Sequence, residues 1–280
     1  MVNELMNETI RIEHLRYSWA AGTCALDDIN LRIADNEFTA IIGQNGSGKT
    51  TLLKNICGLL RPAQGDIFIR GHNTRDLSVA AISAEIGFVM QNPDRQLFAA
   101  TVYDEAAFAL KNRGLSKQEI KERAEAALAA VGLSDEKDTF PPALSRGDRA
   151  KAVIASVLAM GSKIIMLDEP CAGQDYRSIS RIMDLIKELH GKGYTIIVVT
   201  HNMSLAAEYA QRIIVMKDGL LFMDGKPEDI FSRPQELTEA RILPPPITRL
   251  SHELRNYLPL KKDALNAAEL AAMLVAAKRK

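Results

Sequence analysis

Short apolar runs separated by turn residues make up the first ninety positions of the chain. The runs IRIEHLRYSW, INLRIAD, FTAIIG, DIFIRG and EIGFVMQ have the length and the β-branched content of strands. Between the third and the fourth run, TLLKNICGLL (51–60) has helical spacing and stops before Pro62. This part of the chain is therefore predicted to be rich in strands, with one helix among them.

The pattern changes after Asn92. Residues 101–131 and 148–160 are rich in Ala, Leu and Glu, which predicts helices. Strand patterns return at KIIMLDEP, YTIIVVTH and RIIVMKDG, and helical segments separate them. Strands that are apolar throughout and alternate with helices are typical of a parallel sheet covered on both faces. We therefore predict an α/β fold with a mostly parallel sheet, a small antiparallel β subdomain and a helical subdomain inserted at about 92–160.

The segment LPPPI (243–247) breaks the alternation of strands and helices. Accordingly, one domain is predicted over residues 1–232 and a C-terminal helical extension over residues 233–280. The last part of the extension, NAAELAAMLVAAKRK, has the pattern of a helix capped by Asn266, with Glu269 three residues later.

Composition excludes several classes of protein. The 280 residues include 35 Lys and Arg against 35 Asp and Glu, so no net charge favours nucleic acid or an anionic membrane as a partner. No apolar run approaches the roughly 18–20 residues that a membrane helix requires. The three cysteines are scattered without metal-like spacing, which favours a cytosolic protein with free thiols. If the protein works at a membrane, another subunit has to hold it there.

The segment GQNGSGKT follows an apolar run and precedes a predicted helix, which is the setting of a phosphate-binding loop. Its glycines let backbone N–H groups curl around a phosphate, and the helix N-terminus adds its positive end. Lys49 has the length to reach the β- and γ-phosphates, and the Thr50 hydroxyl is suited to Mg²⁺. The alternative is a chance glycine-rich turn, which spacing and flanks together argue against. The predicted nucleotide-binding residues of this P-loop NTPase core are Gly43, Gln44, Asn45, Gly46, Ser47, Gly48, Lys49, Thr50 and Thr51.

Acidic and imidazole side chains follow two later strands. Asp168 ends KIIMLD, where we expect it to hold Mg²⁺ through water, and Glu169 comes next, placed to polarise an attacking water. His201 ends IIVVTH, and open α/β sheets bind ligands at this edge, so we expect it to contact a γ-phosphate. Glu169 and His201 are the candidate catalytic residues. The alternatives are two solvated acids at a strand end and a structural or exposed histidine.

The base of the nucleotide is predicted from an absence and from two aromatic residues. The sequence has no Asn-Lys-x-Asp segment, which a GTP-binding protein would be expected to carry as its guanine reader. Tyr17 and Trp19 lie upstream, and Tyr17 is favoured as the ring that stacks on adenine. The alternative is that both rings pack on the small sheet. ATP and Mg²⁺ are the predicted cofactors.

With these motifs in order, the chain resembles the ATP-binding subunits of ABC transporters over roughly residues 10–232. The matching segments are an aromatic loop, GQNGSGKTT, QNP, LSRGD, IIMLDEP, AGQD and VVTH. In that family two subunits pack head to tail, and the signature segment caps the γ-phosphate held by the partner. The resemblance implies that Ser145 and Gly147 act in trans. It also implies that Gln91 senses Mg²⁺ and the membrane partner, and that Asp175 crosses the dimer interface.

Residues 91–110, QNPDRQLFAATVYDEAAFAL, resemble more narrowly the ATPases of energy-coupling-factor transporters. There this segment contacts the coupling helices of a transmembrane scaffold subunit, which implies an apolar contact by Leu97 and Phe98 before a helix capped by Thr101 and Asp104. The alternative is a core-facing loop. The C-terminal extension also resembles that of these subunits, where it helps to hold two ATPases together.

The resemblance implies a complete assembly around this chain. It would be a peripheral ATPase on the cytoplasmic face of the cell membrane, paired with itself or a paralogue, and joined to a scaffold and a substrate-binding membrane subunit. It would energise import of a vitamin or a transition-metal ion, with no nucleic acid involved. Two alternatives stay open: the ATPase of another type of ABC importer, and a soluble ABC ATPase acting on DNA or ribosomes. The second class tends to carry long coiled coils, two modules or basic surfaces, which this sequence lacks.

The signature segment departs from the family pattern at two positions. Arg146 and Asp148 stand where the family has glycine and glutamine. Our hypothesis is that Arg146 or Arg149 neutralises Asp148, which also interacts favourably with its own helix N-terminus. Binding in trans would then survive the change.

Overall fold

The computed structural model describes residues 8–20, 22–260 and 262–278. Residues 1–7 of the predicted domain and 279–280 of the predicted extension lie outside the described residues. Two β-sheets and the helices packed on them form the described part.

The smaller sheet is antiparallel and has the strand order β2-β1-β4-β5. One face of it is buried, because the β-branched and leucine residues of β1 point alternately into the core, where Ile10, Ile12 and Leu15 are almost fully covered. Its strands are β1 (Glu8–Ser18), β2 (Cys24–Ala34), β4 (Gln64–Ile69) and β5 (His72–Asn73).

The larger sheet has the order β10-β9-β3-β8-β7-β6, in which only the edge strand β10 is antiparallel to its neighbour. The three central strands are buried at every position, as expected for a sheet with helices on both faces. This confirms the α/β class, the mostly parallel sheet and the small antiparallel sheet. The strands are β3 (Phe38–Gly43), β6 (Ile86–Val89), β7 (Ile164–Asp168), β8 (Thr195–Val199), β9 (Arg212–Lys217) and β10 (Leu220–Gly225).

Helices occupy the ranges 101–131 and 148–160, as predicted, and two of them share the first range. The first ends at Lys111, and the Ser116 hydroxyl and Glu119 carboxylate then start the second by capping each other's backbone N–H groups. The helices are α1 (Lys49–Ile56), α2 (Val79–Glu85), α3 (Val102–Lys111), α4 (Lys117–Ala130), α5 (Arg146–Met160), α6 (Tyr176–Gly191), α7 (Met203–Tyr209), α8 (Pro227–Phe231), α9 (Pro234–Glu239), α10 (Pro246–Leu254) and α11 (Ala267–Lys278).

Side chains cap the starts of α3 and α11 as the sequence predicts. The Thr101 hydroxyl accepts from the Asp104 N–H at 3.0 Å, and the Asn266 amide oxygen accepts from the Glu269 N–H at 2.9 Å. Across the described ranges, no helix combines the length and the apolar character needed to span a membrane.

The C-terminal segment packs on the rest of the protein through its first part. Leu237 and Ile242 join the core under the larger sheet, together with Phe231 of α8. Leu260 and Leu270 belong to a smaller apolar cluster between α10 and α11. The boundary at residue 232 stays a prediction.

Helix α5 lies directly against strand β6. At Gly87 an added Cβ would overlap the Val157 side chain, so the strand and the helix approach each other as closely as glycine allows.

We expect Gly87→Ala to lower the free energy of unfolding by about 1–3 kcal/mol, because it overpacks this contact. Urea denaturation followed by circular dichroism measures the change.

Gly191→Ala is the matched control, because an added Cβ at that helical position meets no atom within 4 Å. Its stability should stay equal or rise slightly. Combining Gly87→Ala with Val157→Ala should recover part of the loss. A Gly87→Ala protein as stable as the parent would contradict the close approach.

Candidate nucleotide site

The loop between β3 and α1 requires glycine at two positions. At Gly43 an added Cβ would overlap the main-chain oxygen of Met216 on β9. Gly48, the N-cap of α1, has φ 103°, and a Cβ there would lie 2.6 Å from the Ala25 oxygen. Side chains at these positions would push the loop away from both sheets, so glycine keeps its backbone close to the helix N-terminus.

Lys49 is folded into this loop. Its Nζ donates to the Gly43 oxygen at 2.8 Å and to the Gln44 oxygen at 2.6 Å. Burial lowers the pKa of Lys49, while the carboxylates of Glu169 and Asp168 act in the opposite direction. An anion bound by the loop N–H groups would give this buried ammonium a charged partner.

Thr50 and Asp168 meet across the gap between α1 and β7. The Thr50 hydroxyl donates to Asp168 Oδ2 at 2.8 Å, and Asp168 is only 4% exposed. Its pKa is raised, chiefly by burial. Its other oxygen, Oδ1, has no hydrogen-bond partner among the described residues.

These oxygens suit a magnesium ion. Mg²⁺ prefers a hydroxyl and a carboxylate to nitrogen or sulfur, and it keeps water and phosphate oxygens as its remaining ligands. The unpartnered Oδ1 of Asp168 is available to such a ligand shell. In the described part of the chain no group of three His, Cys, Asp or Glu side chains has metal-binding geometry, so phosphate oxygens and water would have to complete the shell.

Glu169 and His201 form a second pair next to Asp168. The Glu169 Oε2 atom lies 2.7 Å from His201 Nδ1, and the Glu169 N–H donates to the Val199 oxygen at 2.9 Å. Glu169 is buried and has φ 52°, a left-handed conformation that disfavours a side chain with a Cβ. The strained backbone holds the carboxylate at the end of β7, where His201 contacts it from the end of β8.

Tyr17 lies on the small sheet, one strand away from the loop. It pairs with Leu26 across β1 and β2, and Leu26 packs beside Gly48. Its ring meets Trp19 edge to face at a centroid distance of 5.2 Å, and Tyr17 is half-buried. The ring packs on the core of the small sheet, and its stacking on adenine stays a prediction.

The signature segment forms the start of α5. Ser145 is the N-cap, and its Oγ accepts from the Asp148 N–H at 3.2 Å and donates to Asp148 Oδ2 at 2.7 Å. Gly147 lies against Gln174 and Ser178 of the same chain, since an added Cβ there would come within 3.3–3.5 Å of both side chains.

The hypothesis about Asp148 is wrong as to its partner. Lys151, one helical turn later, donates to Asp148 Oδ1 at 3.0 Å. Arg149 instead pairs with Asp94 at 2.6 Å, and the Arg146 guanidinium lies beside Gly173. The spacing of Asp148 and Lys151 on one helix face was a signal that sequence reasoning missed.

The remaining predicted residues lie on other segments. Gln91 is exposed in the loop after β6. Asp175 is the N-cap of α6, where it accepts from the Ser178 N–H at 2.9 Å, and this hydrogen bond lowers its pKa. Direct contacts therefore join Thr50 to Asp168 and Glu169 to His201, while Ser145, Gly147 and Asp175 lie around the start of α5 and α6.

Comparison with known proteins finds relatives of this chain in one protein family. The family model described as "ABC transporter" matches residues 26–172. The energy-coupling factor transporter ATP-binding protein EcfA2 of Caldanaerobacter subterraneus is 41% identical over 269 residues, 93% of this chain and 94% of that protein. A putative ABC transporter ATP-binding protein of the same organism is 44% identical over 88% of this chain, but the chain spans only 43% of its length.

Solved structures agree with these relatives. The structure of cbiO1 from Clostridium perfringens, described as part of the ABC transporter complex cbiONQ, has a TM-score of 0.77 and 35% identity, over 89% of this chain and 99% of that one. A dimeric ATP-binding cassette in a post-hydrolysis state, bound to ADP and Pi, has a TM-score of 0.69 and 30% identity, over 78% of this chain and 98% of that one.

Burial of the Asp168 carboxylate predicts how the free energy of unfolding depends on pH. Because burial raises its pKa, the ionised form destabilises the nucleotide-free fold at neutral pH, and this cost disappears as the pH falls through the raised pKa toward the ordinary value of 3.8. We expect Asp168→Asn to raise the free energy of unfolding at pH 7 by about 1 kcal/mol. Urea denaturation without nucleotide, repeated at decreasing pH, should show the gain shrinking.

Asp135→Asn, at an exposed turn, is the control and should change stability little at either pH. A loss of stability in Asp168→Asn at pH 7 would contradict the direction of the shift.

Proposed function

We propose, from the premise that this chain belongs to the ABC transporter family, that it is the ATP-hydrolysing subunit of an energy-coupling-factor importer for a vitamin or a transition-metal ion. The observation that carries the proposal is the pair of contacts at one sheet edge, Thr50 with Asp168 and Glu169 with His201. They lie beside a glycine loop that already surrounds a buried lysine ammonium. The similarity to EcfA2 and cbiO1 supports the type of importer.

The chemistry follows from the positions of the side chains. The loop N–H groups and Lys49 bind the phosphates of ATP and stabilise the charge that develops on the γ-phosphate. Mg²⁺, when bound, supplies positive charge next to these oxygens. Glu169 accepts a proton from the water whose oxygen attacks the γ-phosphorus, while the bond from that phosphorus to the β–γ bridging oxygen breaks.

His201 has two roles in this proposal. Its Nδ1 fixes the Glu169 carboxylate at 2.7 Å, and its exposed imidazole edge contacts the γ-phosphate. Tyr17 stacks on adenine from the small sheet. The products are ADP and inorganic phosphate, as in the bound state described for the similar dimeric cassette.

A second ATPase subunit completes each site. Ser145 and Gly147 at the start of α5 cap the γ-phosphate held by the partner, and Asp175 crosses the interface. In the described chain, Gly147 contacts Gln174 and Ser178 instead of the loop at Lys49. The C-terminal extension, with its exposed Leu243, helps to hold the two subunits together.

The contact with the membrane scaffold lies near the start of α3. Phe98 is 65% exposed and meets Phe108 edge to face at a centroid distance of 4.6 Å. The buried Glu105 carboxylate accepts from the Phe98 and Ala99 N–H groups at 3.0 and 2.9 Å, which holds the loop in place. Leu97 packs on the core, so the core-facing alternative applies to it and leaves Phe98 as the docking side chain.

An apolar groove of about 270 Å³ continues from Phe108 and is suited to a coupling helix of the scaffold. Docking there places the protein peripherally on the cytoplasmic face of the membrane. The ATPase of another type of importer would differ only in this partner. A soluble ATPase acting on nucleic acid gains no support from the balanced charge of the chain.

Replacing Glu169 by glutamine tests the ATPase activity. The amide cannot accept the water proton, so we expect turnover to fall by at least about 100-fold. ATP binding should persist, because Lys49 and the loop are unchanged. Phosphate release measures turnover, and equilibrium dialysis with ATP measures binding.

Lys49→Ala is the contrasting variant and should lose ATP binding itself. Unimpaired hydrolysis in Glu169→Gln would rule out Glu169 as the proton acceptor.

Affinity purification from solubilised membranes tests the partners. We expect a scaffold and one small substrate-binding membrane protein to accompany the chain, and Phe98→Ala to lower their recovery about tenfold, the usual effect of removing a central aromatic contact. Phe140→Ala, which truncates another exposed aromatic side chain, should leave recovery unchanged. Recovery with ribosomes or DNA alone would contradict the importer.

A further inference from the structure

We propose that Asp148 is a positioning residue that keeps the Ser145 hydroxyl proton away from ATP, so that the signature segment of this chain closes only weakly over a partner's nucleotide. The inference rests on the proposed function, in which Ser145 acts in trans. Asp148 is the signature residue that places a carboxylate in the first turn of α5.

The proton of the Ser145 hydroxyl is already used within the chain. A hydroxyl has one proton to donate and two lone pairs to accept with. Ser145 Oγ donates its proton to Asp148 Oδ2 at 2.7 Å and accepts from the Asp148 N–H at 3.2 Å. What remains toward the solvent is one lone pair, and the oxygens of a γ-phosphate are acceptors as well. The serine can therefore bind a phosphate only after its bond to Asp148 breaks.

Breaking that bond is costly because the carboxylate is charged and held. Lys151 donates to the other oxygen, Oδ1, at 3.0 Å, and its side chain is only 16% exposed. Partial burial acts to raise the pKa of Asp148, but the hydrogen bonds from Ser145 and Lys151 outweigh it and bring the pKa below its ordinary value. Asp148 is thus ionised at neutral pH, and hydrogen bonds to an ionised acceptor are about twice as strong as neutral ones.

The nearby arginines do not relieve this arrangement. Arg149 pairs with Asp94, and Arg146 lies over the loop at Gly173. Lys151 is therefore the cation that hydrogen-bonds the carboxylate, and the charge of Arg181 adds a smaller favourable interaction.

Within the described residues, two other helices begin with the same contact. The Thr101 hydroxyl donates to Asp104 at 2.8 Å, and the Ser116 hydroxyl donates to Glu119 at 2.7 Å. In those helices the contact only caps the backbone. At α5 the capping hydroxyl is also the group that faces ATP, so the cap competes with nucleotide binding.

A glutamine at this position would behave differently. Its amide is neutral, which weakens its hold on the serine proton. Glutamine also remains a suitable residue for the third position of a capped helix. Asp148→Gln therefore frees Ser145 without destroying the helix start.

The consequence is a difference between two composite sites. A site that takes its signature from this chain closes at a higher ATP concentration than a site whose signature carries glutamine. In a pair formed with a paralogue of that kind, the site that uses this chain's signature is the weaker of the two.

ATP-dependent dimerisation in the Glu169→Gln background tests the inference, since this variant retains ATP. Analytical ultracentrifugation across an ATP titration gives the midpoint of dimer formation. We expect Asp148→Gln to lower the midpoint about tenfold, which corresponds to one charge-assisted hydrogen bond. Glu119→Gln, the same kind of change at the equivalent position of α4, should not move it.

Ser145→Ala separates positioning from simple charge repulsion. If Asp148 acts through the Ser145 hydroxyl, Asp148→Gln gives no gain in the Ser145→Ala background. A gain that persists there, an unchanged midpoint, or no dimer with Asp148→Gln at any ATP concentration would overturn the inference. Equilibrium dialysis keeps the two proposals apart, because a Glu169→Gln protein that fails to bind ATP contradicts the proposed function itself.

Discussion

The parallel alignment of five strands decides where the polar groups of the candidate site lie. Strands β9, β3, β8, β7 and β6 run in the same direction, so the segments that follow them emerge at one edge of the sheet. The register brings Ile41 and Asp168 to either side of Val199. The glycine loop, the two carboxylates and His201 therefore lie next to each other in space at this edge. Close packing of the buried apolar strands holds this edge rigid.

That rigidity is what tolerates three unfavourable features at the same edge. Asp168 is buried with a raised pKa, Lys49 is buried with a lowered pKa, and Glu169 has a left-handed backbone. Each of them opposes folding, and strained or poorly solvated groups persist only where the surrounding structure over-determines them. Their concentration beside one loop is the physical mark of a site selected for binding and chemistry rather than for stability.

Motifs with fixed local spacing could be predicted from the sequence, whereas the ion-pair partner of a given side chain could not. The glycine loop, the strand ending in Asp168 and the strand ending in His201 follow from periodicity and from residues that are adjacent in the chain. The ion pair of Asp148 with Lys151, in preference to Arg146 or Arg149, depends on which helix face each side chain occupies and on competition from Asp94. The break between α3 and α4 depends on a cap at Ser116 that competes with good helix formers on both sides.

Contacts between subunits are a different case. Ser145 and Asp175 look like ordinary helix caps in the single chain, and no feature of their local geometry distinguishes them from Thr101 or Ser116. Only the order of motifs along the sequence predicts that they act on another copy.

The meeting of Gly87 with Val157 has a mechanical consequence. With no Cβ between strand and helix, α5 packs directly on the backbone of β6. Close-packed interiors of this kind transmit strain from one element to the next. Helix α5 follows its N-cap Ser145, and β6 leads into the loop at Gln91. The contact therefore connects the signature helix to the strand before that loop through one packed interface, with no side chain of β6 between them at Gly87.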